Sequence, residues 1–130
     1  MGKIVVKFPA DPADLPSTPM PRQLELKSDV SYLLVGGLGG LGQAISIWMA
    51  ECGARHLVFL SRSGKTNVED SFFDELQELG CSFQVFMGDV SCIDDVKNAV
   101  ANAARPVAGV MQMSMVLRVS VPKTVTTRHV

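Results

Sequence analysis

Five glycines stand among the seven residues Gly36-Gly37-Leu38-Gly39-Gly40-Leu41-Gly42, a density suited to handling phosphate. The run satisfies Gly-x-Gly-x-x-Gly through Gly37, Gly39 and Gly42, and Gly-x-x-x-Gly-x-Gly through Gly36, Gly40 and Gly42. Glycine there permits a tight turn at positive φ, brings backbone N–H groups close to a pyrophosphate, and lets a helix approach a strand. A helix opening after the run turns its free donors and the positive end of its dipole toward the anion. Twenty residues past Gly42, where an acid would hold the ribose 2′-hydroxyl of NAD, the sequence has Arg62 between Ser61 and Ser63. A guanidinium flanked by two hydroxyls suits a 2′-phosphate instead, so NADP(H) is expected over NAD(H). Further on, Asp89 and Val90 follow Gly88 at the end of an apolar run, where a carboxylate and an apolar neighbour would border the adenine. A plain helix-capping role for Asp89 is the alternative.

Such residues need strands to carry them and helices to cover the strands. Tyr32-Leu33-Leu34-Val35 is an apolar run ending in glycine, as a strand buried on both faces would be. Leu41, Ile45, Trp48 and Met49 then recur at helical spacing up to Cys52-Gly53. A second strand is expected at His56–Leu60, a helix lined by Phe72, Leu76 and Leu79, and a third strand at Ser82–Phe86. Ser91-Cys92-Ile93-Asp94 has the Ser-x-x-acid form of a helix start, followed by Val96, Ala99, Val100 and Ala103 until Pro106. Val107–Leu117 is the fourth strand region. Strand and helix alternate without a hairpin signal, so the fold class is α/β with a parallel sheet.

Composition narrows the functions. With 130 residues the chain holds at most one ordinary domain, and 47% hydrophobic against 19% charged residues fits a chain that buries a core. A net charge of −1 offers no field for nucleic acid or an anionic membrane. There is no signal-peptide core and no membrane-length apolar run, so a soluble, cytoplasmic protein is expected. Cys52, Cys81 and Cys92 are read as reduced core thiols, and with only His56 and His129 beside them no zinc spacing arises. Residues 1–30 stand apart: Pro9, Pro12, Pro16, Pro19 and Pro21 mark a linker, and Lys3–Phe8 ahead of it is expected to be a short leading strand.

Tyr32–Gly42, Phe59–Gly64, Gly88-Asp89-Val90-Ser91 and Gly109–Arg118 together resemble the ketoreductase domain of fungal highly reducing polyketide synthases, of the short-chain dehydrogenase/reductase superfamily. The resemblance covers residues 31–118 and implies the N-terminal half of a doubly wound Rossmann fold, with four strands in the order 3-2-1-4. It also implies NADPH as cofactor, with the pyrophosphate at Gly36, Gly37, Leu38, Gly39, Gly40, Leu41 and Gly42, the 2′-phosphate at Ser61, Arg62 and Ser63, and adenine at Asp89 and Val90. Ser114 and Met115 match the turn that passes the nicotinamide ribose. The implied reaction is reduction of a β-ketoacyl chain held on an acyl carrier protein, in a synthase whose neighbouring domains are the other partners. The start Gly2–Val6 resembles the last strand of the preceding enoylreductase domain in such synthases.

The family's proton-donating tyrosine and its serine lie after the fourth strand. The single tyrosine here, Tyr32, precedes the glycines and is expected to be buried in the first strand, so no catalytic residue is carried over. Residues 119–130, β-branched and basic with no acid, are read as an unrelated terminus of a truncated product, a genuine strand or binding tail being the alternative. The inherited activity is therefore expected to be absent from the chain alone. In the order 3-2-1-4 the fourth strand is an open edge, which points to marginal stability and self-association. The competing reading is a non-catalytic nucleotide-binding or strand-pairing module.

Overall fold

The computed structural model describes residues 2–20, 23–66 and 68–115. Its elements alternate: β1 Ser31–Val35, α1 Gly40–Glu51, β2 His56–Ser61, α2 Asp70–Glu78, β3 Ser82–Met87, α3 Ile93–Ala101 and β4 Val107–Gln112. The four strands form one sheet in the order β3-β2-β1-β4, every pair parallel, as the sequence leads one to expect. Parallel neighbours need a crossover, and each helix supplies one.

Side chains along β1 and β2 alternate between two cores. Leu34, Leu57 and Phe59 face α1 and α2, joined by Met49, Phe72, Phe73 and Leu76. Leu33, Val35, Val58 and Leu60 lie on the other face with Ala99 of α3. Burial on both faces explains why these two strands read as unbroken apolar runs rather than alternating ones. An aromatic chain Phe59–Phe72–Phe73–Phe83, with ring centroids 6.1, 5.1 and 4.5 Å apart, ties β2, α2 and β3 together.

Several local expectations are corrected. On α1 the buried residues are Gly42, Ser46, Met49 and Ala50, whereas Leu41 is 72% and Trp48 47% exposed. The helix must press its first turn onto the glycine loop, and only small residues fit there, so Leu41 is turned outward. Ser46 is fully buried yet satisfied, its hydroxyl donating to the Gly42 carbonyl at 2.7 Å. On α2, Phe73 joins Phe72 and Leu76 in the core, while Leu79 is half-buried. On α3 only Ala99 is buried and Val100 is exposed.

The expected Ser91 capping box is not made. Cys92 is the N-cap without a side-chain bond, and Ser91 turns to Asp89 instead. Tyr32 is half-buried rather than buried, its hydroxyl accepting from the Lys27 amide at 2.9 Å.

Residues 3–8 form no strand: Ile4, Val5, Val6 and Phe8 are exposed, and among the described residues no other strand offers them a ladder. The proline-rich stretch holds one short 3-10 turn, Pro12–Asp14. Beyond it the Leu26 amide donates to the Cys52 carbonyl at 2.8 Å, laying the chain across the end of α1 before β1 begins. The fourth strand ends at Gln112, and the expectations for residues 116–130 lie outside the described residues. Among the described residues no helix is long and apolar enough to cross a membrane.

The cysteines are free but differ in setting: Cys81 is buried, Cys52 half-buried and Cys92 exposed, so the expectation of three core thiols holds for Cys81 alone. Burial pushes the Cys81 thiol up to about 11, against a weaker downward pull from Arg55. The unfolded thiol releases its proton near pH 9, earlier than the folded one. The stabilisation is thus complete below pH 9 and is lost as the pH rises toward about 11. Urea midpoints should fall over that window, and iodoacetamide at pH 8 should label Cys92 first and Cys81 only on unfolding. Leu76, with 0% exposure, should lose about 2–5 kcal/mol on Leu76→Ala, whereas Leu41→Ala should stay within ~0.5 kcal/mol in the same urea titration.

Candidate functional site

The carboxyl ends of all four strands come level. Val35 pairs with Leu60 and with Gln112, and Ser61 with Met87. Three backbone bonds carry the sheet one step further: Gly36 N to the Leu60 carbonyl at 3.1 Å, Gly88 N to Ser61 at 3.0 Å and Met113 N to Val35 at 2.8 Å. The loops leaving the strands therefore start from one rigid rim. Because the chain runs from β1 out to β3 and returns to the other side of β1 as β4, a crevice opens where the direction reverses.

A cleft of about 500 Å³ occupies that crevice. Gly36, Ser61, Arg62, Ser63, Asp89, Val90, Ser114 and Met115 line it, so eight of the sequence candidates meet in one place. An adjoining hollow of about 320 Å³ shares Gly36, Ser61 and Ser63 and is lined also by Leu38, Gly39 and Gly40. Gly37, Leu41 and Gly42 line neither.

The glycines divide into two kinds. A Cβ on Gly42 would lie 2.4 Å from the Gly37 carbonyl carbon, and one on Gly37 would lie 2.7 Å from Leu34 Cβ, so both serve close packing beneath the loop. Around Gly40 nothing lies within 4 Å, and Gly39 meets only the Gly36 carbonyl at 4.0 Å. Gly39 is the N-cap of α1 and has no side chain to occupy the first N–H groups of the helix. Gly39 and Gly40, at this end of the helix, line the hollow. Gln43 Nε2 steadies the turn by donating to the Leu38 carbonyl at 2.9 Å.

The opposite wall is built by Asp89. Its Oδ1 accepts from the Ser91 amide at 2.9 Å and the Ser91 hydroxyl at 2.8 Å, and its own amide donates to Asp95 Oδ2 at 2.8 Å. The two Ser91 bonds hold the Asp89 carboxyl below the usual carboxylate range, and the Arg62 guanidinium acts in the same direction. Asp89 is thus an anion at neutral pH on the same cleft as the exposed cation Arg62. At the β4 side, Gln112 Oε1 accepts from the Ser114 amide at 3.0 Å and its hydroxyl at 2.8 Å.

Comparison with known proteins decides what this rim belongs to. A family model described as the KR domain matches residues 30–130. The chain belongs to the KR domain family. It is 57% identical over 119 residues to the highly reducing polyketide synthase lcsB of Purpureocillium lilacinum, covering 91% of this chain and 5% of that synthase. To the highly reducing polyketide synthase gloL of Glarea lozoyensis it is 55% identical over 118 residues, covering 90% of the chain and 5% of the synthase. The chain thus spans a twentieth of the length of these relatives. Among solved structures, A-type ketoreductases from a modular polyketide synthase match with a TM-score of 0.62 at 26% identity, over 73% of this chain and 21% of theirs. PlmKR1, from the first module of phoslactomycin biosynthesis in Streptomyces sp. HK803, shares the fold with a TM-score of 0.66, over 78% of this chain and 25% of its own.

In this KR domain the supporting residues Ser91, Asp95, Gln112 and Gln43 are not legible from motif spacing. Each is a polar residue two to six positions from the residue it bonds, and that is the only signal they leave. Met113 also lines the cleft. Gly36, at φ +71, lies so close to the β4 turn that a Cβ would sit 2.7 Å from the Ser114 amide nitrogen. Gly36→Ala should therefore lower the thermal midpoint, whereas Gly40→Ala, in open space, should leave it within a few degrees; scanning calorimetry reads the difference.

Proposed function

We propose that this KR domain binds NADPH across the cleft and contributes the cofactor-holding part of a ketoreductase that reduces a carrier-bound β-ketoacyl chain to the β-hydroxyacyl form. The observation that carries the proposal is the placement of Arg62, with Ser61 and Ser63, on the same cleft as Gly36 and next to the hollow lined by Gly39 and Gly40. The pyrophosphate needs a cradle into which no Cβ projects, and Gly39 and Gly40 leave that space clear. The 2′-phosphate needs donors where NAD enzymes place an acid, and the Ser61-Arg62-Ser63 segment supplies a guanidinium fork and two hydroxyls. Asp89, held as an anion by Ser91, and Val90 form the side that borders the adenine, and Ser114 and Met115 the side toward the nicotinamide ribose.

Bound there, NADPH supplies a hydride to a carbonyl carbon. The protein must also provide a proton for the developing alkoxide. Tyr32 is unsuited to giving that proton, because it lies in β1 near the end away from the cleft, paired with Leu57, and its hydroxyl is engaged by the Lys27 amide. The single tyrosine of the chain is therefore assigned no part in the proton transfer. Relatives named as highly reducing polyketide synthases support a setting in which neighbouring synthase domains and an acyl carrier protein are the partners.

Isothermal titration with NADPH and NADH tests the reading. NADPH should bind more tightly, and Arg62→Ala should weaken NADPH about ten-fold or more while leaving NADH nearly unchanged, the scale expected for losing a hydrogen bond between charged groups. Equal affinities for the two in the unaltered chain would overturn the assignment.

A further inference from the structure

Lys65 lies three residues beyond Arg62 yet does not line the cleft. Its ammonium sits 4.9 Å from the ring centroid of Phe73 and 4.9 Å from that of Phe83. The two rings are themselves packed at 4.5 Å, Phe73 in the core of α2 and Phe83 half-buried on β3, so they form a fixed aromatic platform. Between Arg62 and Lys65 the chain is folded tightly. Gly64 takes φ +59, and the Thr66 hydroxyl donates to the Ser63 carbonyl at 2.7 Å. The Val68 amide in turn donates to the Lys65 carbonyl at 3.1 Å. These bonds are all internal to residues 63–68. They give the loop a shape; Ser61 in β2 holds one end and Val68, packed on the core, the other, and between them the Lys65 side chain adds a contact with the body of the domain.

We propose that Lys65 is a positioning residue for 2′-phosphate recognition: its cation, held on the Phe73–Phe83 platform, steadies the turn of residues 62–65 just beyond the end of β2, so that Arg62 meets the cleft pre-ordered. This rests on the NADPH reading above. The attraction is that of a cation for the negative face of a ring, and two rings share it here. Pre-ordering matters because Arg62 is exposed and a long side chain on a loose loop gives up more entropy on binding. Lys65 itself contributes no contact to the phosphate, since its ammonium is engaged by the rings.

The test compares the full chain with Lys65→Met, which keeps the apolar stem without the charge, and Lys65→Arg, which keeps a cation for the rings. Adenosine 2′,5′-bisphosphate and 5′-AMP are the probes, by calorimetry, together with amide hydrogen exchange over residues 61–66 in the absence of ligand. Lys65→Met should weaken the bisphosphate by roughly two- to five-fold, the strength of an exposed cation–π contact, leave 5′-AMP unchanged, and speed exchange in the loop. Lys65→Arg should restore all three. If the bisphosphate loses nothing, or both probes weaken equally in Lys65→Met, the positioning role is overturned while the NADPH reading stands. If the unaltered chain binds both probes equally, the NADPH reading falls and the positioning role with it, whatever the exchange rates show.

Discussion

Among the described glycines the tightest position is where the first turn of α1 meets the turn after β1. Gly37 and Gly42 touch there with no room for a methyl group on either. That contact sets how α1 is rotated. With Gly42 against the loop, Ser46, Met49 and Ala50 must follow it inward and Leu41 and Trp48 must face out. It also sets where the free end of the helix points. Gly39 and Gly40 line the hollow, while Gly37 before them and Gly42 after them are pinned to the body of the fold.

Around that contact the cleft is assembled by level strand ends rather than by long loops. Each wall has its own local brace: Gln43 to the Leu38 carbonyl, Ser91 and Asp95 about Asp89, Gln112 about Ser114. None of these braces reaches across the opening. The walls are thus braced separately and joined by the sheet and by the approach of Gly36 to Ser114, and Arg62 and Asp89 present opposite charges on a single cavity without either being buried.

How much of this is legible in the sequence depends on the kind of signal. Strand positions follow from period and spacing, because a strand buried on both faces shows as Leu33-Leu34-Val35, whereas the order 3-2-1-4 follows from the family resemblance. The inward face of α1 does not follow. An apolar stripe is the usual mark of a buried face, but the sheet here demands smallness, so Gly42 and Ser46 take the places expected of Leu41 and Trp48. Ser91 departs from expectation for a related reason. Its spacing to Asp94 fits a capping box, but Asp89, two residues earlier, competes for the same hydroxyl and wins it. Asp95 then takes the Asp89 amide, a six-residue bond that no local rule anticipates. Residues 3–8 show the opposite error: a short apolar run is only half of a strand, and the other half is a neighbour.

The meeting of Gly36 with the β4 turn has a lopsided consequence. The atoms that a side chain at 36 would strike are the amide nitrogen and Cα of residue 114, which every amino acid possesses. No exchange at 114 relieves the collision, so position 36 is locked by the main chain opposite it, while position 114 answers only to what its own side chain does in the opening. One half of the pair is fixed by atoms no substitution can remove; the other is set by a side chain that any substitution changes.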